Sequence, residues 1–109
     1  MTEDCIFCDI LNDKKPAEFI FKDDYLVAFK DIRPIAPVHV LIVPRKHVRS
    51  INALGPDDHD LISRIILAGK KAATLSGIER SGYKLLFNVE RGGGQVIFHL
   101  HLHLIGGWK

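Results

Sequence analysis

From Phe98 to Leu104 the chain alternates without a break between apolar residues and histidines: Phe98, Leu100, Leu102 and Leu104 at one parity, His99, His101 and His103 at the other. In an extended strand a period of two places each set on its own face. The apolar row then needs a hydrophobic layer against it, while three imidazoles share the opposite side. A helix would scatter both sets around its circumference. The segment therefore demands a β-sheet, and gives that sheet one chemically distinctive face.

The rest of the chain supplies the partners. Residues 5–12 read as a short helix, and residues 18–21 and 26–29 as a β-hairpin around Lys22-Asp23-Asp24. Pro37 and Pro44 bracket a third strand, Val38 to Val43, because proline fixes φ and removes a backbone donor. Leu61, Ile65, Ala68, Ala72 and Leu75 recur at helical spacing between Pro56-Asp57-Asp58 and Ser76-Gly77, which predicts one long helix. Tyr83 to Val89 reads as a fourth strand, Arg91 to Gln95 as a flexible glycine-rich loop, and Val96 to Ile105 as a fifth strand ending at Gly106-Gly107. This order predicts an α+β fold: a five-stranded, mostly antiparallel sheet with one long helix and one short N-terminal helix. At 109 residues, residues 1–109 should form a single domain.

Fifteen basic and thirteen acidic side chains nearly cancel, and no Lys/Arg block forms a polyanion-binding stripe, so no nucleic-acid partner is expected. No apolar run reaches the ~20 residues that span a bilayer, so no membrane association is expected. The acidic Met1-Thr2-Glu3-Asp4 start does not read as a secretory signal. A cytoplasmic protein is the expectation. Cys5 and Cys8 would close only a very short loop as a disulfide, and read instead as half a metal site or as two small semi-buried residues.

Same-face neighbours on a strand are ~6.7 Å apart, which separates His99 from His103 by roughly 13 Å and disfavours one ion bound by all three. One His-x-His pair holding a catalytic zinc would need further ligands from elsewhere on that face. Nucleophilic use fits the setting better. The glycine-rich loop runs directly into the strand, and its successive backbone N–H groups would make a nest for an anion beside the imidazoles. A neutral imidazole, with a pKa near ~6.5, can attack phosphorus and later leave. Plain exposed polar positions are the competing reading, against which stands the concentration of three of the six histidines in five residues.

The run His99-Leu100-His101-Leu102-His103-Leu104-Ile105 fits the signature of the histidine triad (HIT) superfamily, three histidines alternating with apolar residues. Over nearly its full length the chain resembles the histidine triad nucleotide-binding (Hint-like) branch. The supporting segments are Ile6-Phe7, Phe29-Lys30-Asp31-Ile32, Ala36-Pro37-Val38-His39, Val43-Pro44-Arg45-Lys46-His47, Asn88 and Gly93-Gly94-Gln95. The resemblance implies hydrolysis of purine nucleoside phosphoramidates, with release of a nucleoside 5′-monophosphate such as AMP. His101 would be the nucleophile, flanked by His103 and His39. Asp31 would accept hydrogen bonds from the ribose hydroxyls, and Ile6, Phe7, Ile10, Phe29 and Ile32 would sandwich the purine. Asn88, Gly94, Gln95 and the backbone of Val96 and Ile97 would hold the phosphate. No cofactor is implied for the chemical step. Some members hold a structural zinc, and the matching residues here are Cys5, Cys8, His47 and His99. A homodimer is implied, with two sheets joined as one of ten strands. A dinucleoside polyphosphate hydrolase of the fragile histidine triad type, or a non-catalytic nucleotide-binding module, are the alternatives. Many members carry Ser where this chain has Val96, which bears on leaving-group preference, and longer relatives extend beyond the position of Lys109, which bears on acceptor specificity.

Overall fold

The computed structural model describes residues 5–108; the acidic stretch Met1 to Asp4 and Lys109 lie outside it. Helix α1 (Ile6–Leu11) is followed by strands β1 (Phe19–Lys22), β2 (Leu26–Lys30) and β3 (Val38–Pro44), helix α2 (His59–Leu75), and strands β4 (Tyr83–Leu86) and β5 (Leu102–Gly106). Among the described residues the strands form one five-stranded sheet in the order β1-β2-β3-β5-β4, every neighbouring pair antiparallel. No helix among those residues is long and apolar enough to cross a membrane.

The sheet has two different faces. Leu26, Ala28, Val40, Ile42, Leu102 and Leu104 pack against Ile65, Ala68, Ala72 and Ala73 of α2. Val27, Phe29, Leu41 and Val43 point the other way and pack against Phe7 and Ile10 of α1. The register sets Leu41 opposite His103 and His39 opposite Ile105, so β3 and β5 present histidines on the α1 side. Local signals start the elements. Asp23 Oδ1 accepts from the Tyr25 and Leu26 amides and closes the β1–β2 turn. The Asp58 carboxylate accepts from the Gly55 N–H at 2.8 Å just ahead of α2, and pairs with Lys46 at 3.1 Å.

Three expectations shift. The fifth strand begins at Leu102, not Val96, because the residues before it pass the end of β3 at Pro44, which has no N–H to donate and whose carbonyl accepts from His99 Nε2 at 2.8 Å. The fourth strand ends at Leu86, not Val89, and the chain then turns through Glu90, whose φ is +60°. The glycine-rich segment is a bonded turn: a 3₁₀ stretch spans Arg91–Gly93, and the amides of Gly93, Gly94 and Gln95 donate to the carbonyls of Glu90 and Arg91. Those three N–H groups are spent inside the loop and form no anion nest.

Gly106 shows how closely the strands approach. A Cβ there would lie 2.8 Å from Ile78 Cδ1, 3.1 Å from Tyr83 Cβ and 3.2 Å from the Gly82 carbonyl oxygen. Gly106→Ala is therefore expected to destabilise the fold by ~1–3 kcal/mol, read as a lower urea midpoint with an unchanged slope.

Candidate active site

The α1 side of the sheet carries a cavity of about 360 Å³, lined by Ile6, Phe7, Ile10, Phe29, Asp31, Ile32, Val96, Ile97, His101 and His103 among others. That size is ordinary for a small-molecule site. Phe7, Ile10 and Phe29 are buried and form its floor, with the Phe7 and Phe29 rings edge to face at 5.7 Å. Ile6 and Ile32 stand exposed at the rim. The five apolar residues expected around a purine thus surround one space. The sequence reading missed Lys15, Pro16, Ala17, Lys30 and Leu41 in the lining. Only the chain's path out of α1 brings Lys15 to Ala17 there, and no residue pattern signals that path.

The imidazoles can be assigned proton by proton, because a carbonyl only accepts and an amide N–H only donates. His101 Nδ1 lies 2.7 Å from the His99 carbonyl oxygen, so Nδ1 carries the proton and Nε2 keeps the lone pair. Burial pushes the His101 pKa below the ordinary imidazole range, which keeps the ring neutral at neutral pH. The Ile35 N–H donates to His39 Nδ1 at 3.2 Å, so His39 carries its proton on Nε2, 3.0 Å from His103 Nδ1 and 3.4 Å from Asp31 Oδ2. His103 lies with Nε2 3.4 Å from the Asn88 side-chain amide. Burial, reinforced by the neighbouring His101 and His39, lowers the His103 pKa to about 4. The rings of His101 and His103 stand 4.9 Å apart, and those of His39 and His103 5.2 Å. Asp31, His39 and His103 also lie close enough to hold an ion. The 3.0 Å nitrogen separation there is that of a hydrogen bond.

Asn88 and the loop behave differently from each other. Asn88 meets His103, and Gly94 lies against Asn88, since a Cβ on Gly94 would come within 4.0 Å of the Asn88 amide. Gln95 is buried and its side chain faces inward: Oε1 accepts from the Glu90 N–H, and Nε2 donates to the carbonyls of Arg49 and Ile97. Its side chain braces the loop and is not available to a phosphate, which corrects the expectation for that residue. Glu90 completes the brace, accepting from Arg49 at 3.0 Å and from the Ser50 hydroxyl; Arg49 first, then Ser50, hold its carboxyl below the usual range. Val96 is 83% exposed and lines the cavity.

A second cluster lies behind the first. Cys5, Cys8, His47 and His99 bring their ligand atoms within 4.8 Å of one another. His99 Nδ1 is 3.3 Å from Cys5 Sγ and 3.6 Å from Cys8 Sγ, and His47 Nδ1 is 3.3 Å from Cys8 Sγ. A tetrahedral zinc bound at its usual ~2.3 Å to sulfur and ~2.0 Å to nitrogen sets S···N edges of about 3.5 Å, so the spacing fits. His99 Nε2 donates to the Pro44 carbonyl, which leaves Nδ1 unprotonated as a ligand requires. Burial lowers the His99 pKa to about 4, with His47 and His101 adding to it. Burial and the neighbouring Cys5 push the Cys8 thiol up to about 11. The four residues can hold a metal ion.

Comparison with known proteins agrees with this geometry. Residues 4–107 match the family model "Scavenger mRNA decapping enzyme C-term binding". The chain is 37% identical over 107 residues to the purine nucleoside phosphoramidase of Escherichia coli K12, covering 98% of this chain and 90% of that protein. The crystal structure of a HIT family hydrolase from Legionella pneumophila Philadelphia 1 superposes with a TM-score of 0.94 at 46% identity, covering 97% of this chain and 95% of the other. A HIT family hydrolase from Clostridium thermocellum gives 0.95 at 38% identity, over 100% and 95%. A family match over nearly every residue, with His101 and His103 of the triad lining one cavity, places this chain in the histidine triad superfamily, in its Hint-like branch.

Proposed function

We propose that the chain hydrolyses purine nucleoside 5′-phosphoramidates through a nucleotidyl-histidine intermediate on His101. The observation that carries this reading is the His101 ring: neutral, with its proton held on Nδ1 by the His99 carbonyl and its lone pair on Nε2, in a residue that lines the cavity. That lone pair attacks the α-phosphorus, a nitrogen–phosphorus bond forms, and the bond to the leaving amine breaks as the amine takes up a proton. Water then attacks the same phosphorus, the His101–phosphorus bond breaks, and the nucleoside 5′-monophosphate leaves. The catalytic task is in-line positioning and charge stabilisation.

In this reading His103 and His39 orient the phosphate and share the protons, a role suited to their hydrogen-bonded contact. The purine lies between the Phe7–Ile10–Phe29 floor and the exposed Ile6 and Ile32. Asn88, Gly94 and the backbone of Val96 and Ile97 face the phosphate. Cys5, Cys8, His47 and His99 hold a structural zinc, which pins the N-terminal segment to the sheet. The active form is a cytoplasmic homodimer with a ten-stranded sheet. AMP release from adenosine 5′-phosphoramidate, followed by chromatography, tests the activity. Preference for a dinucleoside polyphosphate in a direct kcat/KM comparison would move the assignment to the fragile histidine triad type.

Asp31 supplies a separate check. Its Oδ1 accepts from the Arg33 N–H at 2.9 Å, while Oδ2 faces His39 and the carboxylate lines the cavity. Asp31→Ala is expected to raise KM about 10–100-fold, the worth of hydrogen bonds to a charged acceptor. A 2′,3′-dideoxynucleoside substrate should lose a similar factor with the parent protein and little more with the variant. Full additivity of the two losses would remove Asp31 from the ribose.

A further inference from the structure

The cysteine–histidine cluster and the candidate nucleophile meet in one residue. The His99 ring turns Nδ1 to Cys5 and Cys8 and Nε2 to Pro44, while its own backbone carbonyl holds the proton of His101 on Nδ1 at 2.7 Å. That carbonyl lies ahead of β5, so no sheet ladder fixes its direction. The neighbouring Leu100 N–H donates to the Val48 carbonyl at 2.6 Å, and the fully buried His99 ring is the other anchor of this peptide. A second connection runs through Phe7, which sits between Cys5 and Cys8 in sequence. Its ring meets His99 edge-on at 5.9 Å and His101 at 5.0 Å. Without an ion, Nδ1 of His99 faces only thiols, which are weak donors; with one, both nitrogens of the ring are fixed.

We propose that the Cys5–Cys8–His47–His99 centre is a positioning element of the active site: when loaded it fixes the His99 peptide and Phe7, and through them the tautomer and aim of His101. The inference rests on reading His101 as the nucleophile and the four residues as metal ligands. It makes His99 a positioning residue, acting on the reaction through its carbonyl, and His47 a remote one. His47 is exposed, reaches Cys8 Sγ at 3.3 Å and stacks edge-on to His99 at 4.6 Å. A change there strips the centre from its outer side and leaves the core intact.

The experiment labels histidine with ¹⁵N in four samples: zinc-loaded parent, parent stripped by a chelator, His47→Gln, and the neighbouring Lys46→Gln as control. Metal content and circular dichroism are recorded on each. The loaded parent and Lys46→Gln should show His101 as one tautomer, Nδ1 protonated and Nε2 bare. Stripped parent and His47→Gln should show averaging of two tautomers, with kcat down ~10–100-fold, the usual effect of losing support behind a metal-bound histidine. A folded, metal-free sample that keeps the single tautomer and the parent kcat overturns the proposal. Should loaded parent release no AMP, the hydrolase reading fails, and the tautomer measurement alone still decides whether the centre governs His101.

Discussion

His101→Ala is expected to bring AMP release from adenosine 5′-phosphoramidate close to background, a loss of about 10⁴-fold or more in kcat. The size follows from the role: of the two histidines that line the cavity, only His101 has an unprotonated nitrogen fixed by a carbonyl on its far side. His103→Ala and His39→Ala remove only partners, and each should cost about 10²–10⁴-fold. Acid-quenched reactions with labelled substrate separate the cases, because the His103 and His39 variants should still trap nucleotide on the protein and the His101 variant should not. Unimpaired turnover by His101→Ala would end the assignment. The pH profile carries the same logic. With its pKa lowered to about 4, His103 stays neutral until the solution is well below the ordinary imidazole range. Protonation is what removes its acceptor nitrogen, so the acid limb attributable to this ring should fall well below ~6.5. A limb near 6.5 that vanishes in His103→Gln would contradict the buried environment.

Loss of the metal is the second large effect. Purified protein is expected to carry about one zinc per chain, and Cys8→Ser to lower the melting temperature by about 10 °C or more, since 1 kcal/mol moves a domain of this size by ~4–8 °C. The reason is geometric. α1 is six residues long, too short to hold itself together, and Cys5 is its N-cap, accepting from the Cys8 N–H at 3.2 Å. Its docking rests on Phe7 and Ile10 against the sheet and on the cysteines against His47 and His99. Scanning calorimetry with and without chelator, alongside metal analysis, measures this. Equal melting temperatures in loaded and stripped protein would show that apolar packing alone secures the N-terminal segment.

Much of this arrangement was legible because it is local. Pro37 and Pro44 bounded β3, the Lys22-Asp23-Asp24 turn announced the hairpin, and the spacing of Leu61 to Leu75 marked α2. Alternation also put His101 and His103 on the α1 side with the cavity. Where the reading slipped, tertiary bonds outweighed pattern. Alternation continues back to Phe98, yet the strand does not, since His99 takes the Pro44 carbonyl that a ladder would otherwise use. Three glycines suggested a phosphate nest, yet the turn spends its amides on Glu90 and Arg91, and Gln95 fastens it from beneath. Lys15 and Leu41 entered the cavity lining through packing alone, and Ile35 shaped the site with a backbone N–H that any residue but proline offers. The metal ligands were assigned by resemblance. Spacing by itself showed only the two cysteines, because His47 and His99 meet them through the fold.

The central pairing of β3 with β5 joins segments on either side of α2, far apart along the chain. Bringing such distant segments together costs loop-closure entropy that nearby contacts do not refund, so that ladder belongs to the late, slow part of folding. His39 travels on one of these strands and His103 on the other. Refolding from denaturant should therefore recover helical signal first and the hydrogen-bonded histidine pair last, and a chain trapped with its hairpin and α2 formed would possess every reactive residue and no assembled reaction centre.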